Sequence, residues 1–309
     1  MPEPLFPGFQ SFTANTDGGG VAIAGVTGGA GPPLLLLHGH PQTHAIWHKV
    51  APVLAARFTV VACDLRGYGD SGKPPGAPDG ANDHANYSKR TMAADMLAVM
   101  RQHGFERFRV MAHDRGARVA HRLMADHPQA VERAVLLDIA PTLAMYEQTS
   151  EAFARAYWHW FFLIQPAPLP ERLIEADPAA YIRDVMGRRS AGLAPFDARA
   201  LDEYRRCLAL PGTAHGICED YRAAAGIDLE HDRADRAAGR QLASPLLVLW
   251  GEHGVVQRCF DPLAEWRKLA AQVDGEALPC GHYIPEEAPD ALLARALPFL
   301  LAPPADAQA

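Results

Sequence analysis

The sequence predicts an α/β fold: a mostly parallel, eight-stranded sheet covered by helices on both faces, with an all-helical cap inserted after the sixth strand. Three observations predict it. Short continuous apolar runs, such as Leu34 to Leu37 and Phe58 to Cys63, alternate with helical patterns, as a parallel sheet buried on both faces requires. The stretch around Asp114 reads as a strand that turns abruptly into a helix, with Ala112 and Gly116 flanking it. From about 143 to 226 the alternation stops, and aromatics, prolines and short helical patterns replace it. The expected division is therefore a core of 1–142 and 227–309 with a cap of 143–226.

Composition sets the outer limits. A chain of 309 residues, 49% hydrophobic and 21% charged, suits one large globular α/β domain plus an insertion. No apolar run approaches the ~20 residues of a membrane span. The first residues lack the basic and apolar regions of a signal peptide. A net charge of −7 disfavours nucleic acid or an anionic membrane as partner. Five cysteines without paired spacing point to reduced thiols in a cytoplasm. No His/Cys/Asp cluster has metal-ligand spacing, and no cofactor is expected.

In order along the chain, Phe9 to Phe12 and Val21 to Val26 read as two strands joined at Asp17 to Gly20, a hairpin signal. The Leu34 to Leu37 strand runs into His38-Gly39-His40-Pro41, a loop placed to form half of an oxyanion hole. The backbone N–H groups of His40 and Arg115 would supply it. Thr43 to Ala56 reads as a helix, Phe58 to Cys63 as a strand, and Lys89 to His103 as an amphipathic helix with methionines on its core face. The strand of Phe108 to Met111 follows. Val131 to Pro141 reads as the next, with Asp138 near its C-terminal end. Past the cap come the strand of Pro245 to Trp250, a helix from Asp261 to Ala271, a last strand near Glu276, and a final helix of about 289–301.

The step at Asp114 has the form small-x-nucleophile-x-small, in which strand and helix backbones pass too closely for larger neighbours. The usual occupant is Ser. An Asp changes the chemistry, because a carboxylate attacks saturated carbon and gives an alkyl ester. In open α/β sheets ligands gather at the carboxyl ends of the strands, which puts Asp138 beside Asp114. A Gly-His step before the last helix presents His282 as base. The order nucleophile, acid, His is then Asp114, Asp138, His282, with Glu252 and Asp261 as rival acids.

These segments resemble the α/β-hydrolase superfamily, and within it the haloacetate (fluoroacetate) dehalogenases. The likeness covers nearly the whole chain. It is carried by residues 38–44, 113–119, 136–142, 159–166, 218–225 and 281–289. The resemblance implies that Arg115 and Arg118 bind a substrate carboxylate, which their i, i+3 spacing on the first helical turn permits. It also implies that His159, Trp160 and Tyr221 form a halide pocket. Position 40 is usually aromatic in such proteins and is His here, and the stretch Val185 to Ser190 lacks a Trp that relatives lead one to expect.

The expected activity is hydrolytic dehalogenation of a small anionic halogenated acid to a 2-hydroxy acid. Asp114 would displace halide, and water activated by His282 would cleave the ester. The relatives suggest a homodimer. An epoxide hydrolase with the same Asp-His-Asp set is the competing reading, and a binding module without catalysis is a third.

Overall fold

The computed structural model describes residues 4–16, 20–76 and 83–303. The hairpin signal at 17–20 falls largely outside the described residues. Eight strands form one sheet: β1 (Gln10–Asn15), β2 (Ala22–Gly28), β3 (Pro33–Leu37), β4 (Thr59–Cys63), β5 (Phe108–His113), β6 (Val131–Leu137), β7 (Leu246–Gly251) and β8 (Val273–Leu278). Their order is β1-β2-β4-β3-β5-β6-β7-β8. β2 pairs antiparallel with both β1 and β4, and every pair from β4 to β8 is parallel.

The central strands have no solvent-exposed residue, which is why they read as unbroken apolar runs. One face of the sheet packs on Trp47, Leu54, Leu292 and Leu300; the other packs on Met92, Met96, Val119 and Leu123. The order of the strands makes β3 and β5 neighbours, so the loops after both open at the same end of the sheet.

The helix expected over Thr43 to Ala56 is divided. A 3₁₀ turn covers His44–Trp47, capped by the Thr43 hydroxyl on the Ala45 N–H, and α1 covers only Ala51–Ala55. Pro52 lies in the first turn of α1; it has no N–H to continue an earlier helix and is tolerated only at a helix start. α2 (Lys89–Gln102) and α3 (Asp114–Asp126) then flank β5 in sequence.

Between β6 and β7 the described chain is helical or coil apart from an isolated bridge at Leu242. It forms α4 (Thr142–Glu147), α5 (Glu151–Ala156), α6 (Trp158–Leu163), α7 (Leu169–Ala176), α8 (Pro178–Gly187), α9 (Ala198–Leu208), α10 (Thr213–Ala225) and α11 (Ile227–Ala237). The helical run thus extends to Ala237, and α11 packs on α4 and α10. The chain closes with α12 (Val255–Cys259), α13 (Pro262–Arg267), α14 (Ile284–Glu287) and α15 (Pro289–Leu301). None of the described helices is long and apolar enough to cross a membrane.

Candidate active site

Asp114 begins α3 with φ of 44°, in the left-handed region that a non-glycine residue enters at a cost. The crowding there is measurable. A Cβ on Gly39 would meet the Asp114 Cβ at 2.5 Å, and one on Gly116 would meet the His38 carbonyl oxygen at 2.4 Å. The glycines are therefore required by close approach, and they let the loop after β3 lie directly against the start of α3. In that position the His40 N–H donates to Asp114 Oδ2 at 3.0 Å.

Asp138, also at positive φ (51°), ends β6. Its Oδ1 accepts from the Gly251 N–H at 2.9 Å, and its Oδ2 lies 2.5 Å from His282 Nδ1. Of the three acids considered, it is thus Asp138 that meets the histidine. Glu252 is exposed beside His253, and Asp261 caps α13 through the Ala264 N–H. His113 holds the same segment, with its Nε2 2.8 Å from the His282 carbonyl oxygen. Burial would raise the Asp114 carboxyl, but the neighbouring His282 and His113 imidazoles and the Arg118 and Arg115 guanidiniums together outweigh it. The carboxyl is held well below its usual range and is ionised at neutral pH.

The two arginines on α3 have different surroundings. Arg115 is fully buried and its fork is already occupied. Nε donates to Asp220 Oδ2 at 2.8 Å and Nη2 to Asp220 Oδ1 at 2.8 Å, while Lys89 Nζ also bonds Asp220. Only Nη1 of Arg115 is left without a partner. Arg118 meets neutral acceptors instead: Thr142 Oγ1 at 2.9 Å, the Ala140 carbonyl at 3.2 Å and Met145 Sδ at 3.2 Å, with Nε unpartnered. No carboxylate pairs with Arg118 among the described residues. Sequence reading missed Asp220, although it sits beside Tyr221. An acid one residue before a candidate pocket aromatic, on a helix facing two arginines, was the available signal.

Each arginine also stacks on an aromatic of the cap. Arg115 lies over the Tyr221 ring at 4.0 Å, and Arg118 over the Trp160 ring at 4.7 Å. His159, Trp160 and Tyr221 are all buried, with His159 and Tyr221 ring centres 6.1 Å apart and Trp160 and Tyr221 6.3 Å apart. The Trp160 Nε1 and the Tyr221 hydroxyl have no hydrogen-bond partner among the described residues. Burial, with Arg189 adding to it, pushes the His159 ring well below its ordinary pKa, so it is a neutral imidazole. Burial raises the Tyr221 hydroxyl well above its ordinary value and keeps it a donor.

His40 does not open this region. Its ring stacks on His159 at 6.0 Å, and its Nε2 lies 3.0 Å from the Tyr181 hydroxyl. Burial brings it down to about 3, so it too is neutral. Near the stretch without the expected Trp, Arg189 places its guanidinium over the Tyr157 ring at 4.6 Å, and the Tyr157 ring centre lies 6.2 Å from that of His282.

One group of possible metal donors comes together elsewhere, Asp70, Glu203 and Cys207. Arg206 already occupies it, donating to Asp70 and Glu203 at 2.7 Å each and to Cys207 Sγ at 3.1 Å.

Comparison with known proteins agrees with this geometry. Residues 32–289 match the family described as the alpha/beta hydrolase fold. A fluoroacetate dehalogenase of Burkholderia sp. is 46% identical, the match covering 93% of this chain and 92% of that one. A soluble epoxide hydrolase of Corynebacterium sp. (strain C12) is 34% identical over 89% of this chain and 92% of its own. The solved structure of an alpha/beta hydrolase from Nostoc sp. PCC 7120 superposes with a TM-score of 0.90 at 52% identity, covering 96% of this chain and 99% of that one. With an Asp at the strand-to-helix turn, an Asp-held His and a sheet of this order, the chain belongs to the α/β-hydrolase fold family.

Proposed function

We propose that this protein hydrolyses haloacetates, with Asp114 as nucleophile and Asp138 and His282 serving the second step. The observation that carries the reading is Arg118. It is a buried cation with no carboxylate partner among the described residues, set one helical turn from an ionised carboxylate. A haloacetate carboxylate supplies the missing charge, and charge-assisted hydrogen bonds of this kind fix both position and orientation. Arg115, already paired with Asp220, contributes through Nη1.

In the first step an Asp114 oxygen bonds the α-carbon as the carbon–halogen bond breaks, and the halide leaves with the electron pair. Trp160 Nε1, the Tyr221 hydroxyl and His159 receive it; donors left unpaired in the protein gain most as charge develops. In the second step His282, oriented by Asp138, takes a proton from water, which attacks the ester carbonyl. The backbone N–H groups of His40 and Arg115 stabilise the oxyanion. As the tetrahedral intermediate collapses, the Cγ–O bond to the substrate breaks and His282 returns its proton to the departing oxygen. Glycolate is released, and Asp114 gives up the remaining water proton to solvent and is again a carboxylate.

The unpartnered hydroxyls of Tyr157 and Tyr221, together with the epoxide hydrolase relative, favour a second reading in which two cap tyrosines activate an epoxide oxygen. Halide release from chloroacetate beside diol formation from styrene oxide decides between the two. His282→Asn is expected to release one halide per active site and then stall with a glycolyl adduct on the Asp114 peptide, read by mass spectrometry. Steady turnover on an unmodified Asp114 would overturn the roles of both residues.

The reading also includes the core and cap division at 143 and 226, a cytoplasmic location and a homodimer. Five free cysteines support a reducing compartment. The exposed Trp158, Leu169 and Leu173 on the cap support self-association, which sedimentation would measure.

A further inference from the structure

Outside the buried pocket lies a cavity of about 250 Å³ with His159 and His282 in its lining. Its walls carry three arginines, Arg188, Arg189 and Arg258, against a single carboxylate, Asp184, which is itself bonded by Arg183 at 3.3 Å. That surplus of positive charge stands in a chain whose net charge is −7. Arg189 is the innermost of the three by its contacts. It is half-buried, rests on Tyr157 beside Tyr283, and has no carboxylate within ion-pairing distance among the described residues. Its field reaches Asp114, His159 and His40. Arg189 hydrogen-bonds the Tyr283 side chain but, like Arg118, has no carboxylate partner among the described residues, and it lines a cavity that Arg118 does not.

We propose that Arg189 is a specificity-determining residue that binds a second carboxylate, so that the enzyme accepts 2-halodicarboxylates of halosuccinate size. The inference rests on the dehalogenase reading. The first carboxylate occupies the Arg118 side and the halogen the Trp160 and Tyr221 side, and the third substituent of the α-carbon extends over His159 and His282 into the arginine-lined cavity. The chemistry is unchanged: Asp114 bonds C2, halide departs with its electron pair, and water cleaves the ester to give 2-hydroxysuccinate. The excess of positive charge on the cavity wall also raises the local concentration of a dianion.

The test compares substrates of equal length that differ only in the terminal anion, 2-bromosuccinate and 2-bromobutyrate. Wild type is expected to favour bromosuccinate in kcat/KM, and Arg189→Met to lower that preference about tenfold, as loss of one charge-assisted contact implies. Arg189→Lys should restore part of it. Calorimetric titration with succinate against butyrate should show the same ordering of affinities without any turnover. A wild type that does not prefer the dianion, or a preference that Arg189→Met leaves intact, overturns the role of Arg189. Failure to release bromide from bromoacetate overturns the dehalogenase reading instead, and the titration then still judges Arg189.

Discussion

At the strand ends, the carboxylates of Asp114 and Asp138 are each held by a backbone N–H, from His40 and Gly251 respectively. Across the cleft, the Nε1 of Trp160 and the hydroxyls of Tyr157 and Tyr221 are buried with no partner among the described residues. The two halves teach different things. On the core side, backbone donors anchor the two carboxylates within the protein, so their positions are set before any ligand arrives. On the cap side, each unpaired buried donor costs about 1–3 kcal/mol of stability. A ligand that entered the cleft would complete them. The same contrast recurs within one helical turn, where Arg115 is paired and Arg118 is not.

The largest expected effect lies on the completed side. Asp220→Ala leaves both Arg115 and Lys89 buried without the carboxylate they share. Removing one partner from such a cluster costs about 3–5 kcal/mol, which a denaturant midpoint measures. A loss below about 1 kcal/mol would show that this cluster contributes little, and the contrast between the two arginines would collapse.

Arg118→Met sits at the boundary. Its neutral contacts are modest, so stability should fall far less than in Asp220→Ala. The specificity constant for chloroacetate should drop roughly ten- to a hundredfold, the loss of about 1.5–3 kcal/mol of charge-assisted binding. If chloroacetate turned over as before while the fold weakened, Arg118 would be a structural cation only.

Tyr221→Phe tests the open side with the smallest change. Removing a hydroxyl that has no partner among the described residues should raise stability by about 1–3 kcal/mol. Defluorination should nonetheless suffer more than dechlorination, because fluoride concentrates its charge on one small atom and depends most on close donors. Melting curves and initial rates on fluoroacetate and chloroacetate read both effects. A marked loss of stability with equal rate losses would mean that the hydroxyl serves the fold.

Much of this was legible in residue order because it depends on local periodicity and local crowding. The run Leu34 to Leu37 has the unbroken apolar character of a doubly buried strand, and the glycine after Arg115 marks a turn that admits no Cβ. The helix over Thr43 to Ala56 was misread because apolar spacing outweighed Pro52, whose missing N–H divides it. Asp138 could be favoured over Glu252 and Asp261 by its place at a strand end, but the 2.5 Å contact with His282 is made across 144 positions of chain.

The sequence by itself determined the sheet, the turn at Asp114 and the identity of the groups that meet there, since strand burial and backbone sterics act over a few residues. Tertiary structure alone decided their electrostatic state. Asp220 lies 105 positions from Arg115, and only the tertiary placement of α10, which packs on α2, brings it close enough to occupy one arginine while its neighbour Arg118 meets neutral acceptors. The same holds for Arg189, which the sequence shows only as one basic residue in a cap stretch. Coulomb energy falls with distance through space and takes no account of separation along the chain, so the free and the committed arginines could be told apart only in the folded protein.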